Sequence, residues 1–428
     1  MLLRILFTVP PFPTTLFHAV PLAWACRAAG HEVRIAAQPE LTPTTTGIGL
    51  IAVEVGHGYD LLDGILRARG GRQVVESPAA DWKRTELADS PPEPGSASAG
   101  LPADERRRAH DRLLAPHVAA SAAVADDLMR FAERWRPDLV ISDPLLFAAP
   151  LVSAALGVPL LRHLVGPDIW GRFCPLQGQP DDGGARERWP AELVALYDRF
   201  GVEVRDDHPV GAIDPWPTSL QLPGVAGRVP VRFVPYNGSA AAPDWVLDRP
   251  GRPRVCVTWG TTTAVLGGDD TFVLPRVLEA LAELDVEIVL AVTAAERTRL
   301  DWIPGNARVA DSVPLHLLMP TCDAIVDQGG AGSVLTAAAH GVPQVIMPRT
   351  ADTPIVAASF GRGGAAVTLD ADDATREAIG AAVTRTLTDD AVRNAALKLA
   401  DEIAATPSPA AVVGALEDLV ARRPGARA

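Results

Sequence analysis

Apolar and polar positions follow the same order twice along this chain. Near the start, "RILFTV" (residues 4–9) is a short, almost continuous apolar run. "HAVPLAWACRAAG" (18–30) then places apolar residues at helical spacing and stops on a glycine, and "HEVRIAA" (31–37) is apolar again. Short apolar runs on either side of a helical segment predict a β-α-β unit and therefore a parallel sheet. The order restarts at Arg254, where "RVCVTWG" predicts a strand, "TFVLPRVLEALAEL" (271–284) a helix and "VEIVLAV" (286–292) a strand. "DAIVDQ", "PQVIMP" and "AAVTL" add further short strands.

Between the two halves the texture changes. Residues 216–253 are rich in Pro, Gly and Ala and predict a linker that walls a cleft. Residues 77–102, "SPAADWKRTELADSPPEPGSASAGLP", predict a surface loop inside the first half. The expected division is a first domain at 1–215, a linker at 216–253 and a second domain at 254–405. A C-terminal helix and tail at 406–428 are placed to pack back on the first domain. The fold class is α/β, with two doubly wound parallel sheets facing each other. Ligands of such sheets bind beyond the carboxyl ends of the strands, here between the domains.

One stretch carries chemistry on its own terms. In "VDQGGAGSVLTAAAHGVP" (326–343) a predicted strand ends near Gln328, glycines follow, and a helix-forming run continues to Gly341. A glycine turn that opens a helix presents unpaired N–H groups at the positive end of a dipole, which suits a phosphate. A tight strand-to-helix turn with no ligand fits the same residues. No G-x-x-x-x-G-K-[ST] is present, and "PPFPTT" stands after the first strand instead of G-x-G-x-x-G. P-loop nucleotide hydrolysis and nicotinamide or flavin chemistry are therefore disfavoured.

Composition narrows the class further. At 428 residues the chain is long enough for two or three domains, and its net charge of −13 disfavours nucleic-acid or anionic-membrane surfaces. No run is apolar enough to predict a membrane span, and the start does not read as a signal peptide. The four cysteines form no C-x-x-C and read as reduced thiols of a cytoplasmic protein.

Ordered matches over nearly the whole chain carry a resemblance. They include "VPLAWACRAAGHEVRIA", "RWRPDLVISDPLLFAAPL", "HLVGPDIWGR", "SLQLP", "RFVPYNG", "NARVADSVPLHLLMPTCDAIV" and "GGAGSVLTAAAHGVPQVIMP". The sequence resembles the actinomycete antibiotic glycosyltransferases, family-1 enzymes of GT-B fold that attach deoxysugars to polyketide aglycones. The resemblance implies that the first domain binds the aglycone and the second a nucleoside-diphosphate sugar, with dTDP the expected nucleotide. It implies no cofactor and no metal. The diphosphate would lie on Gly330, Ala331, Gly332 and Ser333, with Thr261 as a second clamp. The Val313 backbone would read the nucleobase, and Asp352 with Thr353 would contact sugar hydroxyls. Asp352 also stands where a helix N-cap would.

The departures bear on catalysis. The family has His-His where this chain has Asp327 and Gln328; Gln328 can still donate to a phosphate through its amide, and Asp327 is expected to point away. The family's general-base His falls on Thr15, and a threonine hydroxyl has no basicity at neutral pH. His18, read as lying at a helix start, and Asp143, at a strand end in "ISDP", are the replacement candidates, each also fitting a plain structural role. His163 is a weaker one. The expected activity is inverting transfer of a deoxysugar, with an aromatic carbon or phenol as one class of acceptor. Loss of the His also fits a non-catalytic nucleotide-sugar-binding helper of another transferase. An epimerase of the same fold is disfavoured because no paired carboxylates are found. Some relatives need an auxiliary protein; the sequence leaves that and the oligomeric state open.

Overall fold

The computed structural model describes residues 2–68, 103–172, 174–248, 250–260, 272–349 and 352–422. The first domain is built on a seven-stranded parallel sheet of order β3-β2-β1-β4-β5-β6-β7. Its strands are β1 (Arg4–Thr8), β2 (Glu32–Ala37), β3 (Ala52–Glu54), β4 (Leu139–Ser142), β5 (Leu160–His163), β6 (Pro209–Asp214) and β7 (Arg228–Pro230). The second sheet has six parallel strands in the order β10-β9-β8-β11-β12-β13. These are β8 (Arg254–Thr258), β9 (Glu287–Val292), β10 (Ala307–Asp311), β11 (Ala324–Asp327), β12 (Gln344–Ile346) and β13 (Ala366–Thr368).

The central strands are buried along their whole length, as β4, β8, β9 and β11 show. Helices cover both faces of each sheet, so these strands carry continuous rather than alternating apolar residues. One core gathers β1, β2 and the helix Pro13–Ala28. Another joins β8, β9 and the helix Leu274–Ala282. Strand order reverses between β1 and β4 in one domain and between β8 and β11 in the other. These switch points open a crevice at the strand ends, and all four strand ends face the same cleft.

The join between domains is more intimate than a linker implies. Strand β7 lies within 216–253 yet pairs with β6, so the first sheet runs to Pro230. The Arg232 N–H donates to the Pro407 carbonyl at 2.7 Å, and Ser219 donates to Glu402 through its N–H and its hydroxyl at 2.9 and 2.6 Å. The helix Pro409–Ala421 sets Val412, Val413 and Leu416 into the first-domain core. Among the described residues no single helix is long and apolar enough to cross a membrane. The bent pair Asp390–Ala405 and Pro409–Ala421 passes by length and composition together, but its apolar residues pack into the two cores.

One local expectation is corrected. The first helix begins at Pro13, not at His18, because a proline in the first turn gives up no intrahelical hydrogen bond and is preset in φ. Thr15 and His18 are thus on one helix, one turn apart, and share its cleft-facing side.

Candidate functional site

The cleft holds a cavity of about 630 Å³ bordered by both domains. From the first domain come Thr15, His18, Asp143 and the loop Leu164–Pro167. From the second come Gly330, Ala331, Gly332, Ser333, Val313, Asp352 and Thr353, and Tyr236 and Asn237 of the connecting segment close one side. Most of the residues picked from the sequence therefore meet in one place. Thr261 lies outside the described residues, although Thr258 and Gly260 just before it border the cavity.

The phosphate-loop half is built from backbone. Gly329 has φ +86°, and a Cβ there would stand 3.2 Å from the Thr353 carbonyl, so glycine is required for the turn. The helix Ala331–Ala339 follows with Gly330 at its N-cap and no side-chain cap; Ala331, Gly332 and Ser333 border the cavity, and the Ser333 N–H donates to the Gly330 carbonyl at 2.9 Å. Gly332 keeps open space: an added Cβ would stand 3.7 Å from His18 Nε2 and 3.8 Å from Asn237 Nδ2. Asn237 ties this helix to the next loop. Its side chain hydrogen-bonds Thr336 Oγ1 at 3.2 Å, and its oxygen accepts from the His316 N–H at 3.1 Å. Tyr236 lies between Phe17, which it meets edge-to-face at 5.4 Å between ring centroids, and His316, on which it stacks at 6.0 Å.

Two donor-side expectations change. Gln328 does not reach the cavity. It is buried, and its amide donates to the Trp259 carbonyl, bridging the ends of β11 and β8. Asp352 occupies the N-cap position of the helix Thr353–Arg362, but its side chain makes no capping bond. That carboxyl is turned to the cleft instead, where a Cβ on Gly166 of the facing domain would stand 3.6 Å from its Oδ2. Burial raises its pKa above the usual carboxylate range. Asp327 lies beneath the loop, accepts from the Gly329 N–H, and is raised to about 7 by burial.

In the acceptor half, Asp143 ends β4 at the switch point. Its Oδ1 accepts from the Leu145 N–H at 2.9 Å, the Asp-Pro turn read from sequence, and desolvation raises its pKa to about 6. A second, much smaller void of about 10 Å³ separates Thr15, Asp143 and His163, close to the size of one water. His18 is lowered to about 3 and His163 to about 4, in both cases mainly by burial. The loop at 164–171 is pinned from below. Buried Arg162 donates to both oxygens of buried Asp168 at 2.8 and 3.0 Å, and the Asp168 N–H donates to Gln221 at 2.9 Å.

Sequence reasoning did not single out Asn237, Tyr236 or Glu296 as site residues. Glu296 was legible as the acid of a T-x-x-E capping pattern after a predicted strand, and the structure forms that capping box with Thr293. Asn237 had no pattern to find it; its role arises from contacts about 80 and 100 residues away. Among the described residues no three His, Cys, Asp or Glu side chains gather as metal ligands.

The two domains described for erythromycin biosynthesis protein CIII-like proteins match this chain, the N-terminal one over residues 24–260 and the C-terminal one over 275–419. The 10-deoxymethynolide desosaminyltransferase of Streptomyces venezuelae is 37% identical over 439 residues, covering all of both chains. The aclacinomycin-T 2-deoxy-L-fucose transferase of Streptomyces galilaeus is 35% identical, covering 98% of this chain and 96% of that protein. Among solved structures, the spinosyn rhamnosyltransferase SpnG complexed with thymidine diphosphate superposes with a TM-score of 0.78 at 31% identity, over 97% of this chain and all of that one. The glycosyltransferase VinC in complex with dTDP gives 0.75 at 30% identity, over 98% and 100%.

Proposed function

The chain belongs to the erythromycin biosynthesis protein CIII-like glycosyltransferases of GT-B fold, antibiotic deoxysugar transferases, and on that premise we propose how its own cleft carries out the transfer. The donor is a thymidine-diphosphate deoxysugar and the acceptor a polyketide-type aglycone. The observation that carries this reading is the placement of the glycine loop and Asp143 on opposite walls of one cavity.

The diphosphate lies on the amides of Gly330, Ala331, Gly332 and Ser333, with the helix dipole behind it and no metal. Thr261 is kept as a second clamp, Val313 as the reader of the base, and Asp352 with Thr353 as contacts to sugar hydroxyls. The aglycone occupies the side lined by Leu145, Leu146, Leu164, Trp170 and Phe12. Its nucleophile approaches the anomeric carbon from the Asp143 wall, while the diphosphate departs toward the glycine loop. One bond forms between nucleophile and anomeric carbon. The bond to the phosphate oxygen breaks with its electron pair, and the acceptor proton passes to Asp143. Attack opposite to departure inverts the anomeric centre.

Asp143 suits the base role better than His18. A base works best with a pKa near the operating pH, and Asp143 stands at about 6 where His18 stands at about 3. The His18 ring faces Gly332, on the leaving-group side. A phenol or enol, attacking through oxygen or the carbon ortho to it, asks less of such a base than an aliphatic alcohol.

The test is release of thymidine diphosphate from its deoxysugar conjugates, with and without macrolide and anthracycline aglycones. Aglycone-dependent release with a product of inverted anomeric configuration is expected. Diphosphate binding without turnover on any acceptor would return the helper reading.

A further inference from the structure

Glu296 poses a question that its capping box does not answer. The capping box uses one carboxyl oxygen: Oε2 accepts from the Thr293 N–H at 2.8 Å and from the Thr293 hydroxyl at 3.0 Å. Oε1 has no hydrogen-bond partner and almost no contact with solvent, and the residue as a whole is 2% exposed. A capping glutamate on a one-turn helix, here Ala294–Arg297, is ordinarily a surface group. A buried acceptor left unsatisfied is costly unless something else supplies its donor. Glu296 borders the ligand cavity, together with Val292 and Thr293.

Topology says which part of a ligand would reach it. The sheet order is β10-β9-β8-β11. The glycine loop follows β11, Gly260 follows β8, Thr293 and Glu296 follow β9, and Val313 follows β10. Neighbouring strands are ~4.8 Å apart, so three intervals from β11 to β10 span roughly 14 Å. A nucleoside diphosphate laid along these strand ends has phosphates over β11 and base over β10. Its pentose falls over β9, beside Glu296. The carboxylate is then about 10 Å from the glycine loop, two strands away, which limits its repulsion of the diphosphate.

We propose that Glu296 is a donor-specificity residue that accepts a hydrogen bond from the pentose hydroxyl of the nucleotide. This rests on the reading that the second domain binds a nucleoside diphosphate. A hydroxyl is the matching chemistry, since it can donate to Oε1 without disturbing the two bonds Thr293 makes to Oε2. The Thr293 pairing holds the carboxyl in place, so the nucleotide meets an acceptor already oriented.

The test is a cycle between protein and ligand. Thymidine diphosphate and 3′-deoxythymidine diphosphate, which lacks only that hydroxyl, are titrated calorimetrically into the full-length protein and into Glu296→Ala. Loss of a hydrogen bond to a charged group predicts that the parent binds the deoxy compound about 10- to 100-fold more weakly. Glu296→Ala is expected to bind the two compounds nearly alike. A purely structural role for Glu296 predicts that the variant weakens both compounds in proportion and keeps the parent's ratio, and that result would overturn the proposal. N3-methylthymidine diphosphate is the third arm. If Glu296→Ala abolishes discrimination against the methylated base and not against the missing hydroxyl, Glu296 reads the base and the assignment also fails. Thr293→Val controls for folding, because it removes the capping hydroxyl and leaves the carboxyl; it is expected to keep a clear preference for the hydroxylated compound. Failure of the parent to bind thymidine diphosphate at all would instead sink the nucleotide reading beneath it.

Discussion

The two walls of the cleft are made of different material. On the second-domain wall, the site proposed for the diphosphate consists of main-chain amides, a dipole and the absence of side chains at Gly330 and Gly332. On the first-domain wall the proposed chemistry depends on side chains: Thr15 stands where the resemblance leads one to expect histidine, and Asp143 and His18 border the same cavity. A backbone site is hard to alter without changing the fold, because its donors belong to the turn itself. A side-chain site can lose one group and pass the task to another that already faces the same space. The comparison teaches that binding and catalysis in one cleft need not be equally constrained.

The sharpest way to break it is Asp143→Asn. Asparagine keeps the bond from the Leu145 N–H but accepts no proton. General-base assistance predicts a loss of about 10²–10⁴-fold in turnover, with diphosphate affinity nearly unchanged. In the parent, kcat/KM should fall on the acid side of about pH 6, where Asp143 becomes protonated. His18→Ala is the comparison. If it alone abolishes turnover while Asp143→Asn stays active, the assignment of the base is reversed.

The contrast between walls also explains what the sequence could tell. The parallel sense of both sheets, most of their central strands and the glycine loop were legible because apolar runs and glycine positions encode backbone directly, whereas β3, β6 and β7 were not read and β7 fell inside the expected linker. Gln328 misled, because its amide was read by analogy with a phosphate donor, and only the fold reveals that the Trp259 carbonyl stands within its reach. Asp352 looked like a helix cap, and it holds the cap position, but its carboxyl faces Gly166 of the other domain across the cleft. The helix start at Pro13 was hidden by two prolines that read as loop. The Asp168–Gln221 and Asn237 contacts join segments distant in sequence, and no local pattern announces such pairs.

A second break concerns the layer beneath the phosphate loop. Asp327 has a pKa raised to about 7 in the folded protein, so between about pH 4 and 7 the folded state holds a proton that the unfolded chain has released. Stability contributed at this position therefore falls as pH rises through that window, and the deficit is complete above it. Asp327→Asn keeps an oxygen for the Gly329 N–H and removes the deficit. Denaturant unfolding should show the variant more stable than the parent by a few kcal/mol at pH 8, with the difference closing near pH 4. An equal stability of the two proteins at both pH values would place Asp327 in a more hydrated setting.

A finer cut separates the loop's amides from its one hydroxyl. Ser333→Ala removes a single donor to a charged group, worth ~1.5–3 kcal/mol, and the neighbouring amides remain. Gly332→Val should cost more, because the branches beyond its Cβ would crowd His18 Nε2 and Asn237 Nδ2 as well as the phosphate. Calorimetric affinities in the opposite order would move the diphosphate off this loop.

The smallest expected effect is none, and it bears most directly on how a backbone site holds charge. The described residues around the cavity include Asp143, Glu296 and Asp352 but no lysine or arginine. A diphosphate carrying two or more negative charges must find its positive potential elsewhere. The helix Ala331–Ala339 offers the equivalent of about +0.5 charge at its N-terminus, concentrated on its first-turn amides, of which that of Ser333 also donates to the Gly330 carbonyl at 2.9 Å. If that is sufficient, the affinity for thymidine diphosphate should be the same in excess EDTA and in millimolar magnesium. A loss of binding in EDTA that magnesium restores would mean that a cation bridges the phosphates and one of the cavity's carboxyls. Asp352, whose carboxyl faces the cleft beside Gly166, would then be a natural ligand, and the dipole account would fail.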